Sequence, residues 1–562
     1  MTFRAPVSDV QFLLDHVVDF SAVAGTQRFA EATPETTSAI LLEAGKLAEA
    51  SLAPLQQSGD VTPACLSNGT VTTSPGFAEG FRAIAEGGWV GLSADPEYGG
   101  MGLPKTLNTA VFEIFAGACL ALQLNPILTQ GQIEALEAHA SDDLKALYLP
   151  KLISGEWTGT MNLTEPQAGS DVGALTCKAE DNGDGTYAVT GQKIYISWGD
   201  ADFAENVCHL VLARLPDAPK GTKGISLFLV PKHLPDADGA LGVSNTLHVA
   251  RLEHKMGLHG SPTAEMIYDG ATGWMVGQPN GGMAAMFTMM NNARLAVGAQ
   301  GIGVAEAAFQ MASLHATNRK QGKTIIDFPD VRRMLSSMRA DIFASRAIAL
   351  NCAQALDMAD ATGDPAAVAR AAFLTPIAKA FGTQVGISVS ETGIQIHGGM
   401  GYVEETGAAQ FLRDVRVTAI YEGTNGIQAM DLVGRKLADG GEAAFQLIDQ
   451  IETLSEAMRL ELPDLAGLVW DAAETLREAT EWMLAQDMDA RASGAFPYMM
   501  AFARVLGAEA HLRAAIADKN GPRHRLAALY IKRLLPEHKS LLDEARAGST
   551  DLFALTTEEL LA

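Results

Sequence analysis

Basic charge is scarce in this chain of 562 residues: 41 Lys and Arg face 66 Asp and Glu, a formal net charge of -25. Such an acidic balance opposes nucleic acid or anionic membrane as the main partner. Cysteine is sparse as well. The five (Cys65, Cys119, Cys177, Cys208 and Cys352) are odd in number, widely spaced and without a CxxC pair. They suggest neither a disulfide framework nor a zinc site, and fit a reducing compartment. Residues 1–19 lack the basic start and long apolar centre of a secretory signal. No run of about 18 uncharged apolar residues, the length a membrane-spanning helix needs, stands out anywhere. A soluble, cytoplasmic protein without integral membrane association is therefore expected. His248, His254 and His259 lack a repeated ligand spacing, so no metal site is expected. No repeat of fixed period and no low-complexity tail occurs, which gives no support to a solenoid or a disordered arm.

What is present is apolar mass, 48% of residues, in a chain longer than one hydrophobic core usually holds. Apolar residues recur at helical spacing from about 36 to 160, as in Ile40, Leu41, Leu42, Ala44, Leu47 and Ala48. The loop Tyr98-Gly99-Gly100-Met101-Gly102-Leu103-Pro104 reads as a turn. Near residue 180 the composition changes. A turn cluster at 181–185 precedes strand-like alternation through Lys193 to Trp198, and further strand candidates are 207–213, 225–230, 242–249 and 265–268. Beyond Gly282 long runs rich in Ala, Leu and Met return to helix, and amphipathic stretches continue past 441. The expectation is a mainly α chain with a central β domain. Its parts are an N-terminal segment (1–35), an N-terminal helical domain (36–160), a middle β domain (161–280), a helical bundle (281–440) and a C-terminal helical extension (441–562).

Four segments, in order, carry a resemblance. The first runs from Met161 through Leu163-Thr164-Glu165-Pro166-Gln167-Ala168-Gly169-Ser170-Asp171; the second is Gly191-Gln192-Lys193-Ile194-Tyr195-Ile196-Ser197. The third comprises Asn291-Asn292-Ala293-Arg294 and Arg319-Lys320-Gln321-Gly322-Lys323. The fourth is Gln395-Ile396-His397-Gly398-Gly399-Met400-Gly401-Tyr402, then Arg413-Asp414, then Ile420-Tyr421-Glu422-Gly423-Thr424-Asn425-Gly426-Ile427-Gln428. Together they resemble the acyl-CoA dehydrogenase family: its TEPGAGSD loop, GxKxWIT strand, RxxFGKP segment and QIxGGxGY...RD...IYEGTNxIQ string. The departures are Gln167 for a frequent glycine, Tyr195 for Trp, Ser197 for Thr, Gln321 for Phe and Gly426 for a common Glu or Gln. The glycines at 298, 301 and 303 invite a dinucleotide reading, but the GxGxxG spacing fails and no strand precedes them. Small residues packing helices explain them better.

The resemblance implies the family's fold with an added C-terminal extension, FAD as cofactor, and α,β-dehydrogenation of an acyl-CoA thioester with Glu422 as catalytic base. It implies flavin contacts for Leu163, Thr164, Ser170, Tyr195 and Ser197. Arg319, Gln395, Gly398 and Gly399 would hold FAD across a subunit boundary, and Thr424 would contact FAD. Substrate contacts would fall to Ser170, Asn291, Arg294 and Gly423, and the backbone N–H of Glu422 would help to stabilise the thioester oxygen. Electron-transfer flavoprotein is the acceptor the family implies, and a homodimer the assembly. The layout resembles the long bacterial members, which puts 3-methylmercaptopropionyl-CoA first as substrate and short- to medium-chain straight acyl-CoA second. Some relatives serve instead as flavin-containing nucleic-acid-associated proteins through a basic C-terminal region. Residues 441–562 oppose that role, with 20 acidic and 12 basic side chains, net -8.

Overall fold

The computed structural model describes residues 3–562. Short helices at Val7–His16, Phe20–Ala24 and Pro34–Leu47 open the chain, the last capped by the Thr33 hydroxyl accepting from the Thr36 N–H. The centre of this part is α1 (Lys105–His139), which breaks at Cys119, where φ -157° and ψ 92° leave the helical region. Contrary to the expectation from sequence, α1 is long and apolar enough to cross a membrane by length and composition. All of its most apolar stretch is buried inside the protein, because other elements surround it. A second departure is the hairpin Cys65–Ser67 with Thr70–Thr72, set inside a stretch expected to be helical. Its turn is Asn68-Gly69, both at positive φ, the two-residue connection whose twist matches antiparallel strands.

The sheet begins at β1 (Trp157–Asn162), four residues ahead of the expected boundary. β1 is buried along nearly its whole length and shows no alternation to reveal it. It pairs in parallel with β4 (Asn206–Ala213), which continues antiparallel into β5 (Ser226–Pro231) and then the long β7 (Thr263–Val276). β7 also pairs with β6 (Leu247–Leu252) and with β3 (Tyr187–Ser197), whose outer neighbour is β2 (Lys178–Asp181). The single strand expected over 242–249 is two, Leu241–Ser244 in a small hairpin and β6 in the main sheet. Asn245 divides them, its side-chain amide donating to the carbonyls of Pro231 and Thr272.

Three long helices follow: α2 (Gly282–Asn318), α3 (Pro329–Thr362) and α4 (Pro365–His397). The glycines of α2 bring backbones into contact. A Cβ on Gly298 would lie 2.7 Å from the Ala378 carbonyl oxygen, on Gly301 2.4 Å from that of Gly382, and on Gly303 2.3 Å from that of Glu113. Helices Glu442–Met458, Pro463–Ala485 and Met488–Ala517 of the C-terminal extension share one apolar core with this bundle.

Candidate active site

Glu422 sits on the short loop before α5 (Asn425–Asp431). It and Gly423 both take left-handed backbone conformations, φ 57° and 85°. For glutamate this is an uncommon, strained state that the surroundings must hold. They do so through its carbonyls. Gln428 Nε2 donates to the Glu422 carbonyl at 3.1 Å and to that of Gly423 at 3.3 Å, and Lys379 Nζ donates to the Gly423 carbonyl at 2.9 Å. At φ 85° any side chain on residue 423 would be strained, and a Cβ there would also displace Gln428 Nε2, 2.7 Å away, so this turn favours glycine. The Thr424 hydroxyl caps α5, accepting from the Ile427 N–H at 3.2 Å.

Burial pushes the Glu422 carboxyl up to about 7, and Arg294 and Lys379 pull it back only in part. Among the described residues neither cation forms a direct ion pair with it, and its side chain makes no hydrogen bond; Arg294 instead pairs with Asp431 at 3.6 Å. Burial brings Lys379 down to about 7, against the attraction of Glu422. The Glu422 N–H also makes no hydrogen bond among the described residues. A carboxylate poised near neutrality beside a free N–H donor can take a proton while stabilising an adjacent oxyanion.

The 163–171 and 191–197 segments meet through a buried ion pair that lies inside the quoted motifs but was not anticipated. Lys193 Nζ reaches Glu165 Oε1 at 2.8 Å and the Leu163 carbonyl at 3.0 Å. Glu165 also accepts from the Thr176 and Cys177 N–H groups. Burial alone would raise Glu165, but Lys193 and these donors hold it at about 2. The pair clamps the 163–168 loop onto β3, where the Ile194 N–H donates to the Thr164 carbonyl at 2.9 Å. Leu163 and Thr164 therefore lie against the Lys193–Ile194 part of β3, next in sequence to Tyr195. Tyr195 occupies a bulge at φ 61° rather than a regular strand position, and the residue is 62% exposed. Ser170 is exposed beyond the Glu165–Ala168 turn.

Arg319 and the Gln395, Gly398 and Gly399 group gather at the far ends of α2 and α4. His315, one turn before Arg319, lies against His397 with ring centroids 4.4 Å apart and the planes tilted by 32°. Arg319 is exposed, and its side chain makes no hydrogen bond or ion pair among the described residues. Gly398 (φ 61°) and Gly399 are both exposed, with open space where a Cβ would stand. This group is remote from Glu422 of the same chain. Gln395 lies about 24 Å along α4 from Lys379, and Arg319 about 37 Å along α2 from Arg294, at 1.5 Å per residue. Asn291 accepts from Arg294 at 3.3 Å, and both line a cavity of about 340 Å³. The Arg294 Nε is buried without a partner among the described residues.

These residues suit FAD: an exposed aromatic face beside hydroxyl groups for the ring, and open glycine backbone with a free guanidinium for the phosphates and adenosine. Missed from sequence were Lys193, Lys379, Gln428 and the Tyr421–Gln300 contact. Only Lys193, Tyr421 and Gln428 fell within the strings that carried the resemblance.

Family models match most of the chain. The acyl-CoA dehydrogenase N-terminal, middle and C-terminal domain models match residues 35–156, 160–271 and 280–437. An acetyl-CoA dehydrogenase C-terminal-like model matches 446–556. A 3-methylmercaptopropionyl-CoA dehydrogenase of Ruegeria pomeroyi is 46% identical over 80% of this chain and 79% of its own. The broad-specificity linear acyl-CoA dehydrogenase FadE5 of Mycobacterium tuberculosis is 32% identical over 87% and 85%. An acyl-CoA dehydrogenase of Bacillus anthracis, solved in complex with FAD, shares the fold at TM-score 0.75 with 21% identity, over 100% of this chain and 94% of its own. The chain belongs to the acyl-CoA dehydrogenase family, FAD-dependent oxidoreductases that act on acyl-CoA.

Proposed function

We propose that Glu422 is the base that removes the α proton of a short acyl-CoA, with 3-methylmercaptopropionyl-CoA as the substrate and a straight short- to medium-chain acyl-CoA as the runner-up. The carrying observation is the desolvated Glu422 carboxyl, held near neutrality on a strained loop beside its own free N–H. When bound, FAD supplies the acceptor for the hydride leaving Cβ. Glu422 takes the proton from Cα, and its N–H steadies the charge that develops on the thioester oxygen. Thr164, Ser197 and Tyr195, with Leu163 and Ser170 at their edge, orient the flavin, and Thr424 supports it from the Glu422 side. Asn291, Arg294, Gly423 and Ser170 bound the acyl-CoA. The 46% identity to an enzyme named for the sulfur-containing thioester supports the first substrate.

The distal FAD anchors, Arg319, Gln395, Gly398 and Gly399, lie too far along α2 and α4 to serve the Glu422 of their own chain. That separation supports a homodimer in which each chain completes its partner's site. The exposed Met400, Tyr402 and Val403 beside the glycines supply apolar surface for such a contact. A solution mass of one chain would sink the two-chain site. Five free cysteines, four of them buried, fit a cytoplasmic location, which cell fractionation tests.

Turnover with electron-transfer flavoprotein as acceptor tests the activity and the acceptor together. The expected kcat/KM is higher for 3-methylmercaptopropionyl-CoA than for butyryl- to octanoyl-CoA. It rises with pH through about 7 as Glu422 ionises. A strong preference for the straight chains reverses the substrate choice. A profile flat from pH 6 to 8 removes Glu422 as the titrating base.

A further inference from the structure

Lys379, on α4, is fully buried, and among the described residues no carboxylate lies within ion-pair distance of it. Its Nζ donates to the Gly423 carbonyl at 2.9 Å and to Asn425 Oδ1 at 3.0 Å, and makes no third hydrogen bond among the described residues. An ammonium offers three donors and a neutral amine two, so these acceptors satisfy the neutral form and leave the charged form one short. Both acceptors directly follow Glu422. Asn425, the first residue of α5, is fixed from α4 as well: its Nδ2 donates at 3.1 Å to the hydroxyl of Thr383, one turn beyond Lys379 on the same helix face. Lys379 and Thr383 thus grip the loop from α4, while Gln428 holds it from within. The left-handed backbone of Glu422 and Gly423 persists only where neighbours impose it in this way.

The charges around Glu422 come from several elements. Burial disfavours its ionised form, and Arg294 and then Lys379 oppose that. Arg294, from α2, has its own counter-ion in Asp431 on α5, at 3.6 Å, and Asp431 pairs in turn with Arg435, just beyond α5. Tyr421, next in sequence to Glu422, is kept neutral by burial. Lys379 is different. Burial works against its charge, Glu422 is the carboxylate that favours it, and Arg294 repels it. A desolvated cation and a desolvated carboxylate, neither in a direct ion pair, favour each other's charged form.

We infer that Lys379 is a positioning residue for the base: it fastens the loop that presents Glu422 and supplies, from α4, a positive charge that favours the carboxylate over the acid. The inference rests on the reading of Glu422 as the base, and the following experiment separates the two.

The holoenzyme and the FAD-loaded variants Lys379→Met and Lys379→Arg are mixed by stopped flow with 3-methylmercaptopropionyl-CoA, or with butyryl-CoA where that is the better substrate, and flavin bleaching is followed from pH 6 to 9. Methionine keeps much of the bulk of lysine but neither its donors nor its charge, so the acid limb of the rate profile is expected to move about one unit to higher pH. At pH 7 that shift alone slows bleaching about fivefold, because the ionised share of Glu422 falls from about one half to about one tenth. Arginine keeps the charge and is expected to return the limb towards its wild-type position. A residue that merely fills space would lower the rate equally at every pH. An unmoved limb in FAD-replete Lys379→Met therefore overturns the proposal, as does a limb that Lys379→Arg shifts equally far. If Lys379→Met does not hold FAD, Lys379→Gln, an uncharged donor, gives the same reading. Failure of both neutral variants to load FAD shows that Lys379 serves the fold rather than the base, and overturns the proposal too. Glu422→Gln keeps the questions apart: bleaching there, or a wild-type profile without a limb, removes the base, whereas an inert Glu422→Gln with an unmoved limb in Lys379→Met removes the role of Lys379 alone.

Discussion

Glu422→Gln is expected to keep bound FAD and the native fold and to lose flavin bleaching on mixing with acyl-CoA by about a thousandfold or more, the scale of a lost general base. The fold should tolerate the change for a reason the site itself provides. The carboxyl is ordinarily half-titrated at 4.5 but at about 7 in the folded protein. Folding thus favours its neutral form. Its stabilising contribution is complete below the ordinary value and is lost as pH rises through about 7. Glutamine resembles the neutral acid, so above pH 7 the variant's thermal midpoint should match or exceed that of the wild type. Stopped-flow absorbance of the flavin and a melting curve at pH 8 check both halves. Near-normal bleaching would sink the role of Glu422, and loss of FAD would show that the residue supports the site rather than the proton transfer.

The largest effect on stability is expected far from that loop, at Arg346 on α3. Its guanidinium is fully buried and reaches Glu113 at 2.7 Å, Glu306 at 2.9 Å and Asp9 at 3.4 Å. Arg339 and Arg523 also bond Asp9. Burial would lift Asp9, yet Arg339, Arg346 and Arg523 together hold it below the usual carboxylate range. Glu113 goes the other way: burial raises it despite Arg346. The cluster thus joins the opening helix, the long helices and, through Arg523, the C-terminal extension. Arg346→Met strands carboxylates in the interior and is expected to cost about 3–5 kcal/mol, the range for breaking a buried ion pair from one side. Calorimetry should show a lowered midpoint, with the N-terminal helix and the extension loosening together by hydrogen exchange. A variant as stable as the wild type would mean that the three arginines hold nothing the apolar core does not already hold.

The order of helix, strand and helix was legible because each part has its own period, 3.6 residues or 2. What escaped notice lacked that signal. β1 is buried on nearly every residue, so it alternates with nothing. The 65–72 hairpin is two three-residue strands around Asn68-Gly69, too short to interrupt a helical pattern. Tyr195 reads as one member of an alternating strand, yet an extra residue in β3 turns it out of register. At the candidate site the residues in continuous strings could be named in advance. Their supports could not, because each joins segments distant in sequence: Lys193 with Glu165, Lys379 with Gly423, Gln300 with both Gln123 and Tyr421.

The string from Ile420 to Gln428 by itself determined which carboxylate to consider, since a carboxylate, a glycine and a capping threonine stand side by side along the chain. Only the tertiary structure decided the condition of that carboxylate. Its elevation to about 7 comes from burial, which Arg294 and Lys379 offset only in part; among the described residues it has no ion pair, and Lys379 and Gln428 hold the strained turn that presents it. Desolvation and charge act through space, and no spacing along a sequence records them.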